Sequence, residues 1–376
     1  RGRASPGSFY NAASDFSCLV RRNDFTFVGE QEGLDIVEKR LREWYELKLK
    51  ARLGDDSQDD KETDILGRLV RCTPAGFEYE ADPRHRQKVL EALGFSEKTK
   101  GLSVNGRVED IAEELVELEA AECTPFRALA ARLNYLAQDA PEIQYAAKEV
   151  CRDMARPNFD SWKKLKILAR FVLEREALIW RFDWQDEVGS VLSVFSDSDW
   201  AGCRRTRRST SGGVVSVGSH CLKTWSSTQA PIALSSAEAE YYAMAEAATR
   251  GVGLRSMLQE LGIVVVGPLE LHSDSSAARC LASRKGVGRM RHLEVRHLWL
   301  QAEVGSQKVQ LKRIAGEANP ADLLAKYLCL RNILKHLKAL NIQWISRNRV
   351  PNAAEGGCRA IARFQRVCRV GCMAYL

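Results

Sequence analysis

Hydrophobic and polar positions follow three successive rhythms along this chain. From Ser17 to Gly29 two apolar runs, Cys18–Val20 and Phe25–Val28, flank a polar turn at Arg21–Asp24, which predicts a β-hairpin. From Glu30 to Leu49 the apolar residues Leu34, Val37, Leu41, Trp44 and Tyr45 recur at three- and four-residue spacings, the period of an amphipathic helix. Residues 54–64 are acidic and poor in apolar side chains, hence a loop. Short strands are expected at Ile65–Cys72 and Gly76–Tyr79, then a helix from Pro83 to Leu93 that Gly94 stops. After a polar linker at 96–107 the rhythm turns helical. An acidic helix is expected at 108–122, with Ile111, Leu115 and Leu118 on one side. Thr124-Pro125 opens a helix over Phe126–Ala137, and further helices run through Pro141–Arg156 and Ser161–Glu174.

From Val188 onward strands and helices alternate. Val191–Phe195 is a strand that stops at Ser196-Asp197, and Val214–Val217 with Cys221–Trp225 forms a hairpin around Gly218-Ser219. Ala237–Leu261 is a long helix, which Ser235 and Glu238 open as a capping box. Val264–His272 is a strand with a Gly-Pro interruption. Ser275–Ala282 and Arg296–Val304 are helical, and Val309–Ile314 is a strand. Asn319-Pro320 caps a final helix from 321 onward. Together these make a mixed α/β domain of about 140 residues. The stretch 345–376 is basic and loosely patterned. It carries Arg347, Arg349, Arg359, Arg363, Arg366 and Arg369 against Glu355, and reads as a structureless extension.

Composition narrows this picture only a little. With 376 residues, 45% of them hydrophobic, the chain is long enough for two or three domains with real cores. No run of about 18 apolar residues exists, so no transmembrane helix is expected. The 11 cysteines form no CxxC pair, which fits a reducing, cytoplasmic or nuclear setting better than a secreted one. No His lies among Cys358, Cys368 and Cys372, so no zinc site is expected there. The first residue is Arg1, which reads as a fragment of a longer product. A net charge of +7 suits a polyanionic partner and equally an ordinary basic enzyme.

Four acids stand at element ends: Asp197 (VFSD), Glu240 (SSAEAEYYAM), Asp274 (LHSD) and Asp322 (NPADLLAK). Sites in α/β sheets form outside the carboxyl ends of strands. Several carboxylates in one pocket repel each other and take up protons unless divalent cations neutralise them. Mg²⁺ favours such an all-oxygen set, and two ions about 3.5–4 Å apart support in-line phosphoryl displacement. Taken singly, each acid is more at home as a helix N-cap or an exposed charge, because Asp and Glu are common near helix starts.

The blocks FSDSDWAGCRRTRRSTSGGVV, KTWSSTQAPIALSSAEAEYYAMAEA, LHSDSSAARCLA, RMRHLEVRHLWLQ and ANPADLLAKYL follow one another in this order. They resemble the ribonuclease H domain of copia-type LTR retrotransposon Pol polyproteins over about 190–330. The resemblance implies that Asp197, Glu240, Asp274 and Asp322 are the catalytic acids. They would hold two Mg²⁺ ions, with Mn²⁺ as a substitute, to cut the RNA strand of an RNA/DNA hybrid. Glu240 rather than Glu238 matches, since it precedes the apolar helical run. FRALAARLNYLAQDAPEIQYAAKEVCRDMARPNFDSWKKLKILARFVL is similar to the helical connection upstream of that domain. SPGSFYN and LVRRNDFTFVG resemble the reverse transcriptase segment with the paired-aspartate hairpin. There the family has two adjacent aspartates and this chain has Asn23-Asp24. Asn lacks the anionic oxygen that Mg²⁺ takes. Fingers and most of the palm would lie before Arg1, so no polymerase activity is expected.

The implied organisation is a truncated palm/thumb remnant at 1–100, a helical connection at 101–185, a ribonuclease H-like domain at 186–330 and a C-terminal helix with basic tail at 331–376. Arg204, Arg205, Arg207 and Arg208 follow the first acidic block, and Arg284, Lys285, Arg289, Arg291, His292 and Arg296 follow Asp274. Both runs suit backbone phosphates of a hybrid, and both suit solvated loops. His292 and His297 are expected to be core or surface residues, and Trp200 and Trp225 packing residues. No His lies between Ile314 and Asp322. The remainder of the Pol polyprotein is the implied covalent partner, and no membrane is involved. The alternative is a catalytically silent relic that binds nucleic acid without turnover.

Overall fold

The computed structural model describes residues 2–96, 98–106, 116–185, 191–286, 288 and 292–346, together with the backbone of 371–375. Ser8–Asn11 (β1), Phe16–Arg21 (β2) and Asp24–Gly29 (β3) form an antiparallel meander. The predicted hairpin is β2–β3. Its register pairs Arg21 with Asp24, leaving Arg22-Asn23 as the turn, with Arg22 at φ 56°. Gln31–Trp44 (α1) covers it through Leu34, which meets Cys18 and Phe27 in a small core. The helix stops short of the expected Leu49. Trp44 is 78% exposed, so it does not extend the apolar stripe, and Leu49–Leu53 is a strand instead (β4). A further strand, Glu62–Ile65 (β5), takes up the end of the expected acidic loop and the first residue of the expected strand. Arg68–Thr73 (β6) and Gly76–Glu80 (β7) pair antiparallel. Pro83–Ala92 (α2) begins with Asp82, whose carboxylate accepts from the Arg84 N–H at 2.9 Å, and Gly94 follows it at φ 66°.

Ala120–Leu136 (α3), Pro141–Cys151 (α4) and Phe159–Glu174 (α5) form the helical layer. The acidic helix expected at 108–122 falls mostly outside the described residues. Of its described part, residues 116–119 are not helical, with Glu117 bridged to Asn158, and residues 120–122 are the start of α3. Pro125 lies inside α3 rather than opening it. Asn158 and Ser161 cap α5 reciprocally. Phe126, Leu133, Ile143, Leu165 and Phe171 fill the core between these helices. Burial of each such side chain contributes about 1.5–3 kcal/mol relative to exposure. The helical rhythm ends earlier than the expected boundary at 185, because Arg175–Asp183 is a strand (β8) paired with β7.

The next segment contains Leu192–Asp199 (β9), Thr210–Val217 (β10), His220–Thr228 (β11), Ser236–Glu260 (α6), Leu269–Ser273 (β12) and Ser276–Ser283 (α7). A 3-10 turn at Val295–Leu298 leads into Trp299–Gly305 (α8), followed by Val309–Arg313 (β13). Its sheet order is β11-β10-β9-β12-β13, with β9, β10 and β11 antiparallel and β12 and β13 parallel to β9. This is the mixed sheet with flanking helices that the alternating rhythm predicts. Leu192 and Val194 face α6, where they pack with Tyr241, Met244 and Leu269. Gly251 lets α6 lie close, since a Cβ there would stand 2.5 Å from Leu269 Cδ1 and 2.7 Å from Val194 Cγ2.

The last helix does not run on from 321. Asp322–Ala325 (α9) is one turn, and Leu330–Ala339 (α10) is a separate helix. With α4, α9 covers the other face of the sheet, where Leu323 and Leu324 join Val214 and Cys221 in the core of the helical layer. Ile342–Ser346 (β14) pairs with β8, giving a sheet β14-β8-β7-β6-β5 drawn from three of the four expected segments. The tail is not structureless throughout: Gly371–Tyr375 (β15) lies between β3 and β4. Among the described residues no helix is long and apolar enough to cross a membrane, and the described cysteines are free.

Candidate active site

Side chains alternate along β9, so Asp197 lies on the face opposite Leu192 and Val194, the face that α9 covers. The strand does not stop at Asp197 as expected. It continues to Asp199 because β10 keeps pairing, Gly212 with Asp197 and Thr210 with Asp199. Asp197 is therefore inside a strand and only 4% exposed. Gly212 makes room beside it. A Cβ there would stand 2.7 Å from Ala321 O and 2.8 Å from Ala325 N, so α9 rests directly on the strand backbone. Asn319 fixes the approach of α9: its Nδ2 donates to Ser196 O at 2.8 Å and its Oδ1 accepts from Ala321 N at 3.2 Å. Asp322 then opens the turn over the sheet.

Asp274 directly follows β12, the parallel neighbour of β9. Glu240 comes from the second turn of α6, and its Oε1 accepts from Ser198 N at 3.1 Å. Asp197, Glu240 and Asp274 each offer an oxygen, and these oxygens lie within 4.8 Å of one another. Asp322 stands beside Asp197, whose carboxyl it helps to raise, and Lys326 faces both, its Nζ 2.5 Å from Asp322 Oδ1 and 3.8 Å from Asp197 Oδ2. Burial, then the charge of Glu240, holds the Asp197 carboxyl well above the usual carboxylate range. Burial, then Asp274, pushes Glu240 up to about 8. Asp197 Oδ2 and Glu240 Oε2 are buried without a hydrogen-bond partner. Crowded, proton-retaining carboxylates with unsatisfied oxygens are a hard-donor set that suits a divalent cation.

Glu238 is turned away from this cluster. Its carboxylate accepts from Leu234 N at 3.0 Å and from Tyr242 OH at 2.6 Å, and lies 3.0 Å from His292 Nε2. Ser235 caps α6 by accepting from Glu238 N at 3.2 Å, but the reciprocal half of the expected box is replaced by the Leu234 contact. Asp199 accepts from the Thr210 N–H. Arg204, Arg205, Arg207 and Arg208 are all exposed on the β9–β10 loop, and Arg205 is paired with Asp153 at 2.5 Å. Arg284 and Lys285 are exposed after α7, and Arg289 and Arg291 lie outside the described residues. The His297 carbonyl accepts from Tyr241 OH at 2.7 Å, and its ring lies 4.3 Å from that of Tyr242. Trp225 is buried, but Trp200 is half-exposed, with its indole N–H donating to Ala233 O at 3.0 Å. Asn23 is exposed in the β2–β3 turn and Asp24 begins β3.

Two contributors to the site are absent from the sequence reading, Gly212 and Lys326. Gly-Gly inside a strand run signals a close approach, and Lys326 stands four residues after Asp322.

No protein-family model matches the chain. Over 211 residues it is 28% identical to a retrovirus-related Pol polyprotein from transposon RE2 of Arabidopsis thaliana, covering 54% of this chain and 14% of that polyprotein. Over 183 residues it is 35% identical to an uncharacterized mitochondrial protein of the same plant, covering 48% of this chain and 73% of that protein. Among solved structures, one of a foamy viral protease-reverse transcriptase in complex with RNA/DNA hybrid is similar with a TM-score of 0.40 and 10% identity. It covers 68% of this chain and 30% of that one, a likeness too distant to decide anything.

Proposed function

The chain belongs to the retrovirus-related Pol polyproteins of copia-like transposons, and on that premise we propose that residues 186–330 are a ribonuclease H that cuts the RNA strand of an RNA/DNA hybrid with Mg²⁺. The observation that carries this reading is the trio Asp197, Glu240 and Asp274, with two buried oxygens left unsatisfied. When bound, the ions supply activation of a water and stabilisation of the leaving oxygen. Asp197, Glu240 and Asp274 would hold them, with Asp322 completing the set. Arg204, Arg207, Arg208, Arg284 and Lys285 would take the phosphates of the hybrid. They bind without reading sequence, as backbone contacts do. Residues 315–321 contain no His to protonate the departing 3′ oxygen, so the two-ion site would work without one or with water. Asn23 offers an amide where the paired-aspartate hairpin needs an anion, so primer extension is not expected of this chain.

The test is cleavage of an end-labelled RNA/DNA hybrid with and without Mg²⁺. Asp274→Asn should slow cleavage by more than about 100-fold, since second-layer partners of metal ligands alone cost 10- to 100-fold. Asn23 favours one competing reading, a relic that binds the hybrid without turnover. Salt-sensitive binding with no metal-dependent cleavage would establish that reading and exclude the nuclease.

A further inference from the structure

Lys326 owes its place to the end of α9. The helix stops at Ala325, and Lys326 is extended, at φ −152° and ψ 169°. Its side chain, 47% exposed, reaches the acids with one flank in solvent. The ammonium is in contact with Asp322 Oδ1 at 2.5 Å. At 3.8 Å from Asp197 Oδ2 it is a Coulombic neighbour too far for a hydrogen bond. Asp197 Oδ2 is thus a buried oxygen without a hydrogen-bond partner, next to a cation that is already tethered. Any divalent ion that uses Asp197 and Asp322 needs the oxygens that Lys326 now faces. Two cations cannot share them without strong repulsion.

We propose that Lys326 is a tethered counter-cation that competes with the divalent ion for Asp197 and Asp322, so that ion binding drives its ammonium out toward solvent. The inference rests on the metal-site reading above. It sets the opposite sign from a role as a pin that orders Asp322. Losing a competitor tightens ion binding, whereas losing a pin weakens it.

The experiment titrates Mn²⁺ into the full chain and reads free Mn²⁺ by electron paramagnetic resonance. Wild type and variants are compared at one fixed pH. Lys326→Gln and Lys326→Met should bind Mn²⁺ roughly 2- to 5-fold more tightly than wild type, the scale of a half-exposed ion pair. Lys326→Arg, which keeps the charge, should stay near wild type. Thermal unfolding supplies the second readout. With EDTA the neutral variants should melt lower than wild type, and their gain in Tm on adding Mn²⁺ should be larger. Wild type that binds Mn²⁺ while the neutral variants bind equally or more weakly would overturn this inference alone. Failure of wild type and variants alike to bind Mn²⁺ would overturn the metal-site reading and this inference with it.

Discussion

On α6 a rotation of about 200° separates Glu238 from Glu240. Tyr242, His292 and the Leu234 N–H hold Glu238, and its pKa lies below the ordinary value although burial works the other way. Glu240 is buried, with one backbone donor and Asp274 beside it, so its pKa rises from 4.5 to about 8. The sign of the consequence follows from linkage. A carboxyl whose folded pKa exceeds its unfolded one holds a proton that the unfolded chain releases. Its stabilising contribution is complete below pH 4.5 and is lost as the pH rises through about 8. Glu240→Gln cannot lose a proton there. With EDTA present, its Tm relative to wild type should therefore climb by several degrees from about pH 5 to about pH 8.5. The comparison between the two proteins removes the background of other carboxylates. A constant difference across that range would show that Glu240 is ionised throughout.

Between α9 and β10 the packing leaves no room for a methyl group, because Gly212 meets main-chain atoms rather than a flexible side chain. Gly212→Ala should cost about 1–3 kcal/mol, as overpacking does. It should also weaken Mn²⁺ binding, because the displaced turn carries Asp322 and Lys326. Gly253 on α6 is the control: nothing lies within 4 Å of a Cβ there, so Gly253→Ala should raise Tm and leave Mn²⁺ affinity unchanged. Equal Mn²⁺ affinity in Gly212→Ala and wild type would detach the α9–β10 contact from the site. The same elements show what a single sequence conveys. The β2–β3 and β10–β11 hairpins and α6 were legible, because turn residues and caps punctuate them. β8 was not, since Ala177, Leu178, Ile179 and Trp180 follow α5 without Gly or Pro, and a continuous apolar run fits either period. Its partner β14 lies some 160 residues on, beyond any local pattern. The acids were legible through their motifs and element ends. Lys326 was not, because it is one of 56 basic residues and its role depends on α9 stopping after a single turn.

Across the whole molecule a net charge of +7 decides little, because many arginines have acidic partners: Arg205 has Asp153, Arg175 has Glu142 and Arg250 has Glu246. Arg207 and Arg208 are exposed on the loop that leaves β9 two residues after Asp197 turns into the site. A polyanion laid over the acids would meet them first. Each phosphate they neutralise releases counterions and adds about 0.7–0.9 to the slope of log affinity against log salt. Replacing both by Ala should flatten that slope by about 1.4–1.8 for a fluorescent RNA/DNA hybrid, measured by anisotropy with EDTA present. Lys39 and Arg40 are exposed on α1, which packs against β3 and β15 rather than the acidic sheet. Their double Ala variant loses the same formal charge and should keep the wild-type slope. If the two variants flatten the slope equally, attraction to the hybrid is a property of overall charge, and the β9–β10 loop has no special place in holding it.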